Sequence, residues 1–365
     1  MKNGFLPFSL FRTHGKHRMN HLTLAAGLFL ALSMLLPAPA RAAHAGWRQI
    51  TVPAVQPGGA STVVALYYPT QTTARWIPMG PFPQEVAPGA PPLEVLKGLV
   101  VLSHGTGGSE LGHGRLATAL ARSGYLVAAL RHPGDNWQDR SLLQERPDAY
   151  FHERPRQVSR VIDAVLDDPL WKGRIAGDAR GPWIGALGHS AGGYTVLALA
   201  GGRPDLQRIE RHCAANREAD PIFCRTGRAV PPTQPAPPTA QALAAPGPNG
   251  LHDPRVRAVV ALAPVGVVFT AASLASIRVP VAVFEAEADR WLVPRFHTAW
   301  IVSHLPGVQF QRVAAAWHFA FMDKPEAPIP TDDGDIGADA PGFDRPVLHT
   351  RLARELPAFF DQSFR

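Results

Sequence analysis

The segment 188–193, which reads GHSAGG, constrains the fold of this chain more than any other feature. A short apolar run precedes it and a helix-compatible segment follows it. This pattern is typical of a nucleophile elbow, a tight turn between a strand and a helix with a serine at its apex. Gly188 and Gly192 are needed because side chains there would collide with the neighbouring strand and helix. We therefore predict that Ser190 is a nucleophile; a plain Gly-Ser turn at a helix start is the alternative.

Apolar runs with strand character recur along the chain and are separated by helical patterns. They lie at 63–68, 99–102, 125–130, 183–187, 256–262, 279–284 and 308–313. This alternation predicts an α/β fold with a mostly parallel central sheet and helices on both faces. Apolar residues spaced as i, i+3, i+4, i+7 and i+8 over 158–166 predict one of the covering helices. A last helix is expected at about 346–361.

The segment 1–42 has the organisation of a secretory signal peptide. Basic residues precede an apolar run at 22–36, and Ala-Arg-Ala at 40–42 supplies a small-x-small cleavage signal. The run is short for a membrane span, although an uncleaved anchor is the alternative. We therefore expect an exported protein, periplasmic or secreted, with no stable membrane span after cleavage. Its folded domain is expected to cover 43–365.

Charge and composition exclude two classes of protein. The chain has 365 residues, and its 46% hydrophobic content allows a substantial core, which excludes overall disorder. The formal charge is +7, but residues 1–42 contain five basic residues and no acidic one. The rest of the chain contains 31 basic and 29 acidic residues, which gives a formal charge of +2. A nearly neutral domain lacks the basic surface that binds nucleic acid, so no nucleic-acid partner is expected.

The only two cysteines, Cys213 and Cys224, are expected to form a disulfide. In an oxidising compartment a bond that closes such a short loop is the natural state of the pair. Two free buried thiols or half of a metal site are the alternatives. Both cysteines lie in an insert at 203–255, whose second part is rich in proline and which we predict to be irregular. The insert is either a lid-like rim that shapes the acyl or alcohol pocket or a surface excursion.

A serine nucleophile needs a histidine to take its proton and a carboxylate to orient that histidine. In a fold with this elbow the acid and then the histidine follow the serine, in loops after later strands. Asp289 lies just past the run 279–284 and before a Val-Pro, so we predict it as the acid, with Glu287 as the alternative. His318 follows the last strand-like run and is predicted as the base. Three histidines on predicted helices are expected to be surface or packing residues: His297, His304 and His349.

Two backbone N–H groups are expected to form an oxyanion hole for the charge that develops on a substrate carbonyl oxygen. One belongs to Ala191, directly after the nucleophile. The other is predicted at Thr106, in the glycine-rich segment 103–108 that follows a strand-like run. This segment lacks the spacing of a dinucleotide site and the Lys-Ser/Thr of a P-loop, so no nucleotide cofactor is expected. No His or Cys spacing fits a zinc site, so no metal is predicted.

Five short segments match a known group of enzymes. They are LYYP at 66–69, WIP at 76–78, SHG at 103–105, GHSAGG at 188–193, and HF at 318–319 with Phe321. With these segments the chain resembles the α/β-hydrolases grouped with platelet-activating-factor acetylhydrolase and the predicted dienelactone hydrolases, over most of 60–322 apart from the insert. The resemblance implies the α/β-hydrolase fold and cofactor-free hydrolysis of carboxylic esters, often with short acyl groups. Dienelactone hydrolases proper differ because a cysteine stands where this chain has Ser190.

These predictions favour an exported serine esterase that acts on a small-molecule or lipid ester through an acyl-enzyme intermediate. Ser190, His318 and Asp289 would form its catalytic triad. Two hypotheses from other classes remain. A peptidase or amidase would keep the nucleophile and cleave a different bond, and a binding protein would keep the fold without catalysis. The rate of hydrolysis of an ester, compared with that of the matching anilide, distinguishes the esterase, the peptidase or amidase, and the binding protein.

Overall fold

The structure, a computed structural model, describes residues 44–55, 59–226, 250–331 and 334–365. The predicted leader and the proline-rich part of the insert, at 227–249, lie outside the described residues. Among the residues that are described, no helix is both long and apolar enough to cross a membrane.

Fourteen strands are formed by the described residues, and ten of them build one central sheet. In chain order they are β1 (His44–Val52), β2 (Thr62–Thr70), β3 (Arg75–Ile77), β4 (Gln84–Pro88), β5 (Leu99–Ser103), β6 (Leu126–Arg131), β7 (Gly177–Asp178), β8 (Gly181–Pro182), β9 (Ile184–His189), β10 (Val256–Leu262), β11 (Val281–Ala286), β12 (Gln309–Val313), β13 (Pro330–Thr331) and β14 (Gly334–Asp335). The sheet has the spatial order β12-β11-β10-β9-β5-β6-β2-β1-β4-β3. The pairs β7–β8 and β13–β14 are separate two-stranded ribbons.

Six neighbouring strands of the sheet, from β12 to β6, run parallel. Strand β2 is antiparallel to both β6 and β1, and β3 is antiparallel to β4. Each parallel pair needs a crossover connection, which is why helices alternate with these strands. The predicted parallel sheet is therefore confirmed, and all seven predicted runs overlap strands. Strands β1, β3 and β4 were not predicted: β1 carries polar residues at its centre, and β3 has only three residues.

Helices cover both faces of the sheet, as predicted. They are α1 (Gly114–Arg122), α2 (Ser141–Glu145), α3 (Pro147–Asp167), α4 (Ala191–Leu199), α5 (Leu206–Asn216), α6 (Pro221–Thr226), α7 (Ala271–Ala275), α8 (Thr298–His304) and α9 (Arg345–Ser363). Neighbouring strand residues point to opposite faces. Val101 of β5 packs with side chains of α3, α4, α7 and α8 in one apolar cluster. Val100 packs with side chains of α1 and α9 in the other.

Helix α3 shows how burial overrides local sequence preference. It contains Pro155, and a proline inside a helix costs about 3 kcal/mol. The predicted apolar stripe faces the sheet, and four of its side chains are fully buried: Val158, Val161, Ile162 and Val165. Each such side chain contributes about 1.5–3 kcal/mol relative to an exposed one. The buried stripe therefore outweighs the proline, and the helix continues through it.

The described part of the insert is helical, which corrects the prediction of an irregular segment. Asp205 caps α5, because its side chain accepts a hydrogen bond from the backbone N–H of Gln207. Cys213 of α5 and Cys224 of α6 form the predicted disulfide. Asp220 is fully buried and accepts hydrogen bonds from two histidines. These helices were not predicted because the charged residues on their exposed sides obscure the helical spacing of the apolar residues in the sequence.

We expect the double substitution Cys213→Ser/Cys224→Ser to lower the free energy of unfolding by about 3 kcal/mol, the loop-closure value for a bond of this size. The two cysteines are 11 positions apart, so the bond removes the freedom of a short loop from the unfolded chain. Urea unfolding of the variant and of the wild type, both without reductant, measures the difference. An unchanged unfolding midpoint would show that the helices α5 and α6 hold together without the disulfide.

Candidate active site

The loops that follow four parallel strands meet at one edge of the sheet. Because the strands β5, β9, β11 and β12 run in the same direction, the residues after their carboxyl ends lie at the same edge. These residues include the glycine-rich segment 103–108, Ser190, Asp289 and His318. All the residues predicted as nucleophile, acid, base and oxyanion donors therefore lie at this edge.

Ser190 lies between β9 and α4 with φ 59° and ψ −119°, a backbone conformation that residues other than glycine rarely adopt. Its backbone N–H donates a hydrogen bond of 2.9 Å to the carbonyl of Leu262 on β10, which fixes the turn to the sheet. A Cβ on Gly188 would overlap the carbonyl of Gly192, and a Cβ on Gly192 would overlap that of Ser103. The strained turn thus requires both glycines, as predicted for an elbow.

Ser190, His318 and Asp289 form a hydrogen-bonded line. The distance from Ser190 Oγ to His318 Nε2 is 2.9 Å, and the distance from His318 Nδ1 to Asp289 Oδ2 is 2.7 Å. The other carboxylate oxygen of Asp289 accepts hydrogen bonds of 2.8 Å from the backbone N–H groups of Trp291 and Leu292. These two bonds fix the rotation of the carboxylate, so that Oδ2 faces the imidazole.

Glu287, the alternative acid, is directed away from this line. Its side chain is exposed, and Oε2 accepts a hydrogen bond of 3.0 Å from the backbone N–H of Ala315. Ala315 has φ 57°, so the carboxylate supports a sharp turn between β12 and His318. The structure brings Asp289, and not Glu287, to His318.

The glycine-rich loop after β5 lies directly against Ser190. A Cβ on Gly105 would be 3.0 Å from Cβ and 3.5 Å from Oγ of Ser190. Thr106 follows in the chain, and its hydroxyl is 2.7 Å from that of the buried Tyr150. Ala191 is the first residue of α4, and amides of a first helical turn have no partner within the helix. Both predicted amide donors therefore belong to segments that adjoin Ser190.

The comparisons with known proteins concern the fold. No family model and no curated protein matches this chain. Among solved structures, a ferulic acid esterase from Streptomyces cinnamoneus is similar, with a TM-score of 0.58 and 22% sequence identity. The match covers 90% of this chain and 92% of that one. The chain has the α/β-hydrolase fold. This likeness does not distinguish the acetylhydrolase and dienelactone hydrolase group from other proteins with the fold.

In this α/β-hydrolase fold, two histidines that sequence reasoning missed hold the turn that carries His318, the predicted base. His189 Nε2 donates a hydrogen bond of 3.0 Å to the backbone carbonyl of His318. His349 Nε2 donates one of 3.0 Å to the carbonyl of Ala320, in the same 3-10 turn. Burial lowers the pKa of His189 well below its usual value, so the ring stays neutral. No local motif could reveal these contacts, because their acceptors are backbone carbonyls distant in sequence.

Two of the helix histidines, His297 and His349, are buried in the structure. We expected surface or packing residues at these positions, and both side chains are packed inside the protein and hydrogen-bonded. His297 Nε2 donates to the carboxylate of Asp220 over 2.9 Å, and His212 Nε2 makes the same contact. Burial would raise the pKa of Asp220, but the two histidine hydrogen bonds outweigh it and lower the value to about 2. These histidines support structure.

Acid is expected to destabilise the α/β-hydrolase domain through buried neutral histidines such as His113. Neither ring nitrogen of His113 has a hydrogen-bond partner among the described residues, and burial lowers its pKa to about 3. The unfolded chain takes up this proton below pH about 6.5, whereas the folded protein does not. Stability is therefore lost as pH falls from about 6.5 towards 3. At pH 4.5 this one group accounts for about 3 kcal/mol.

The substitution His113→Leu should reduce that loss, because an apolar side chain has no proton to bind. Unfolding free energies of wild type and variant at pH 7.5 and pH 4.5 measure the difference. The same substitution at the exposed His252 is the control, since unfolding changes the surroundings of an exposed side chain little. Burial raises the pKa of Asp323 to about 7, so this group stabilises the folded protein as the pH falls, the opposite of His113. Its contribution is the same in the wild type and in His113→Leu and cancels in the comparison. Equal pH dependence in wild type and His113→Leu would contradict the prediction.

Proposed function

We propose that the protein is an exported serine esterase that hydrolyses carboxylic esters through an acyl-enzyme intermediate. The observation that carries the proposal is the line from Ser190 Oγ through His318 to Asp289, with distances of 2.9 Å and 2.7 Å. A serine at the apex of a strained turn, bonded to an oriented imidazole, is the arrangement needed for nucleophilic attack on an acyl carbon. The leader predicted at 1–42 and the disulfide fit an exported protein.

In the first half of the reaction, Ser190 Oγ attacks the carbonyl carbon while His318 Nε2 takes the hydroxyl proton. The carbonyl oxygen becomes an oxyanion, for which the backbone N–H groups of Thr106 and Ala191 are the donors. The C–O bond to the alcohol then breaks, and His318 returns its proton to the leaving alkoxide. The carboxylate of Asp289 stabilises the imidazolium.

In the second half, His318 takes a proton from water, which attacks the acyl carbon of the ester on Ser190 Oγ. Collapse of this intermediate releases the carboxylic acid, and the proton on His318 returns to Ser190. Aromatic rings border the base: Trp291 stacks on His318 with ring centroids 6.0 Å apart, and Phe319 packs against both. Such rings shield the proton transfers from bulk water.

The substrate is proposed to be a small-molecule or lipid ester with a short acyl group. The similar structure is that of a ferulic acid esterase, which adds aromatic esters to the compounds worth testing.

Helices α5 and α6 are proposed to form a rim of the acyl or alcohol pocket. Asp220 of this segment bonds to His297, whose Nδ1 accepts a hydrogen bond from the backbone N–H of Gly266. The neighbouring residue, Val265, donates through its N–H to the carbonyl of Ser190.

Hydrolysis of p-nitrophenyl acetate, compared with p-nitroacetanilide, tests the function. An esterase should cleave the ester rapidly and the anilide at a rate near background. Comparable cleavage of the anilide would instead identify a peptidase or amidase, and tight substrate binding without hydrolysis would identify a binding protein. A series of p-nitrophenyl esters from acetate to decanoate, together with methyl ferulate, then defines the acyl preference. If helices α5 and α6 form a rim, the Cys213→Ser/Cys224→Ser variant should show a changed acyl profile.

A further inference from the structure

A fully buried ion pair lies behind the proposed active site. Arg154 on α3 contacts Asp135, in the loop after β6, and neither side chain is exposed to solvent. Burial of two charges is costly, because both lose their hydration, and apolar residues of similar volume often stabilise a core as well or better. A pair kept in such a place is most useful for its directional hydrogen bonds, which are strong in a medium of low dielectric constant.

The pair holds the glycine-rich loop at both ends. The guanidinium of Arg154 donates a hydrogen bond to the backbone carbonyl of His104. Oδ1 of Asp135 accepts one of 2.9 Å from the backbone N–H of Gly107. Thr106, proposed as an oxyanion donor, lies between these two attachment points. The position of its amide is therefore set by groups that are themselves fixed by the ion pair.

The same guanidinium also contacts the helix that carries the second donor. Arg154 Nε donates a hydrogen bond of 3.1 Å to Oγ1 of Thr195 on α4. The Thr195 hydroxyl in turn donates one of 2.9 Å to the backbone carbonyl of Ala191. Arg154 is thus connected to the glycine-rich loop on one side and to the first turn of α4 on the other.

We propose that Arg154, Asp135 and Thr195 are positioning residues that set the separation between the oxyanion donors Thr106 and Ala191. The inference rests on the proposed function, because it assigns the three side chains to the same oxyanion hole. Among the described residues, none of the three side chains forms a hydrogen bond to Ser190 or His318; they act through the backbone of the two donor segments. An oxyanion hole acts mainly in the transition state, so its misplacement should lower kcat more than it raises KM.

The sharpest test is Thr195→Val, which keeps the shape of the side chain and removes the hydroxyl shared by Arg154 and Ala191. We expect kcat for p-nitrophenyl acetate to fall by about 10- to 100-fold with KM within about twofold of the wild type, since a donor displaced by a fraction of an ångström loses part of its effect. Thr195→Ser restores the hydroxyl and should recover most of the lost kcat. Arg154→Lys, which keeps the charge and loses the fork of donors, should also lower kcat.

Ser273→Ala is the matched control. Ser273 on α7 is fully buried, and its hydroxyl donates to the carbonyls of Thr270 and Arg203, so the variant loses a buried hydroxyl without touching the site residues. Its kcat should equal that of the wild type. A folded Thr195→Val with unchanged kcat would overturn the inference, and so would a loss that appears only in KM or that Thr195→Ser does not recover.

Amide hydrogen exchange in segment 104–108 supplies a readout that does not depend on catalysis. Exchange there should be faster in Arg154→Lys than in the wild type, while exchange in the core strands stays unchanged. Unchanged exchange in segment 104–108 would overturn the inference even if the protein is an esterase. If the wild type hydrolyses no ester, the proposed function fails, and with it the oxyanion role of the ion pair; faster exchange would then show only that the pair holds the loop.

Discussion

The substitution Ser190→Ala is expected to reduce kcat for ester hydrolysis by about a million-fold, the scale of loss when a triad nucleophile is removed. The variant loses the oxygen that forms the acyl-enzyme, and no neighbouring group can replace it at the apex of the turn. The fold should be retained. Alanine already has a positive φ at positions 263 and 315 of this chain, 40° and 57°, and the substitution at Ser190, where φ is 59°, removes only a hydroxyl group.

Steady-state hydrolysis of p-nitrophenyl acetate and thermal unfolding of the same preparation measure the two parts of this prediction. Ser303→Ala is a matched control, because Ser303 is an exposed serine on α8 that bonds only to groups of its own helix. It should have wild-type activity. The assignment of Ser190 as the nucleophile would be contradicted if a clean preparation of Ser190→Ala hydrolysed the ester at more than a small fraction of the wild-type rate.

The proximity of Ser190, Asp289 and His318 could be predicted because each follows a strand in a fixed order. The elbow around Ser190 needs glycines for steric reasons, which leave a local signature in the sequence. Asp289 and His318 carry no such signature, but the ends of β11 and β12 bring them to the edge of the sheet where β9 ends. Parallel topology therefore converts positions along the chain into proximity in space.

The contacts that hold the segments around the site could not be predicted, because their partners are distant in sequence and often belong to the backbone. Arg154 and Thr195 are 41 positions apart, and His189 is 129 positions from the carbonyl it binds. A sequence pattern records burial and local turns, whereas it does not record which backbone carbonyl an arginine or histidine will reach. The helices of the insert were missed for a related reason: the disulfide and the buried Asp220 hold them, and their apolar surface is small.

The substitution Asp289→Asn is expected to lower kcat by about 10⁴-fold while leaving the fold intact. Oδ1 of Asp289 accepts two backbone hydrogen bonds, so an asparagine would place its oxygen there and turn its NH₂ group towards His318. That group would donate to Nδ1 of the imidazole and leave the proton on Nε2, which then cannot accept the proton of Ser190. If the free energy of unfolding of the variant is close to that of the wild type, the loss of kcat comes from the changed tautomer of His318 and not from a damaged fold.

Glu287→Gln is the matched control for this prediction, because it makes the same chemical change two residues away. Its Oε2 accepts a hydrogen bond from the N–H of Ala315, and a glutamine keeps an oxygen that can accept it. We expect kcat within about threefold of the wild type, since no proton on His318 depends on this group. Measured kcat values for the two variants decide between the acids. A large loss in Glu287→Gln with little loss in Asp289→Asn would show that Glu287 orients the base, with a rearrangement of the loop after β11 during the reaction.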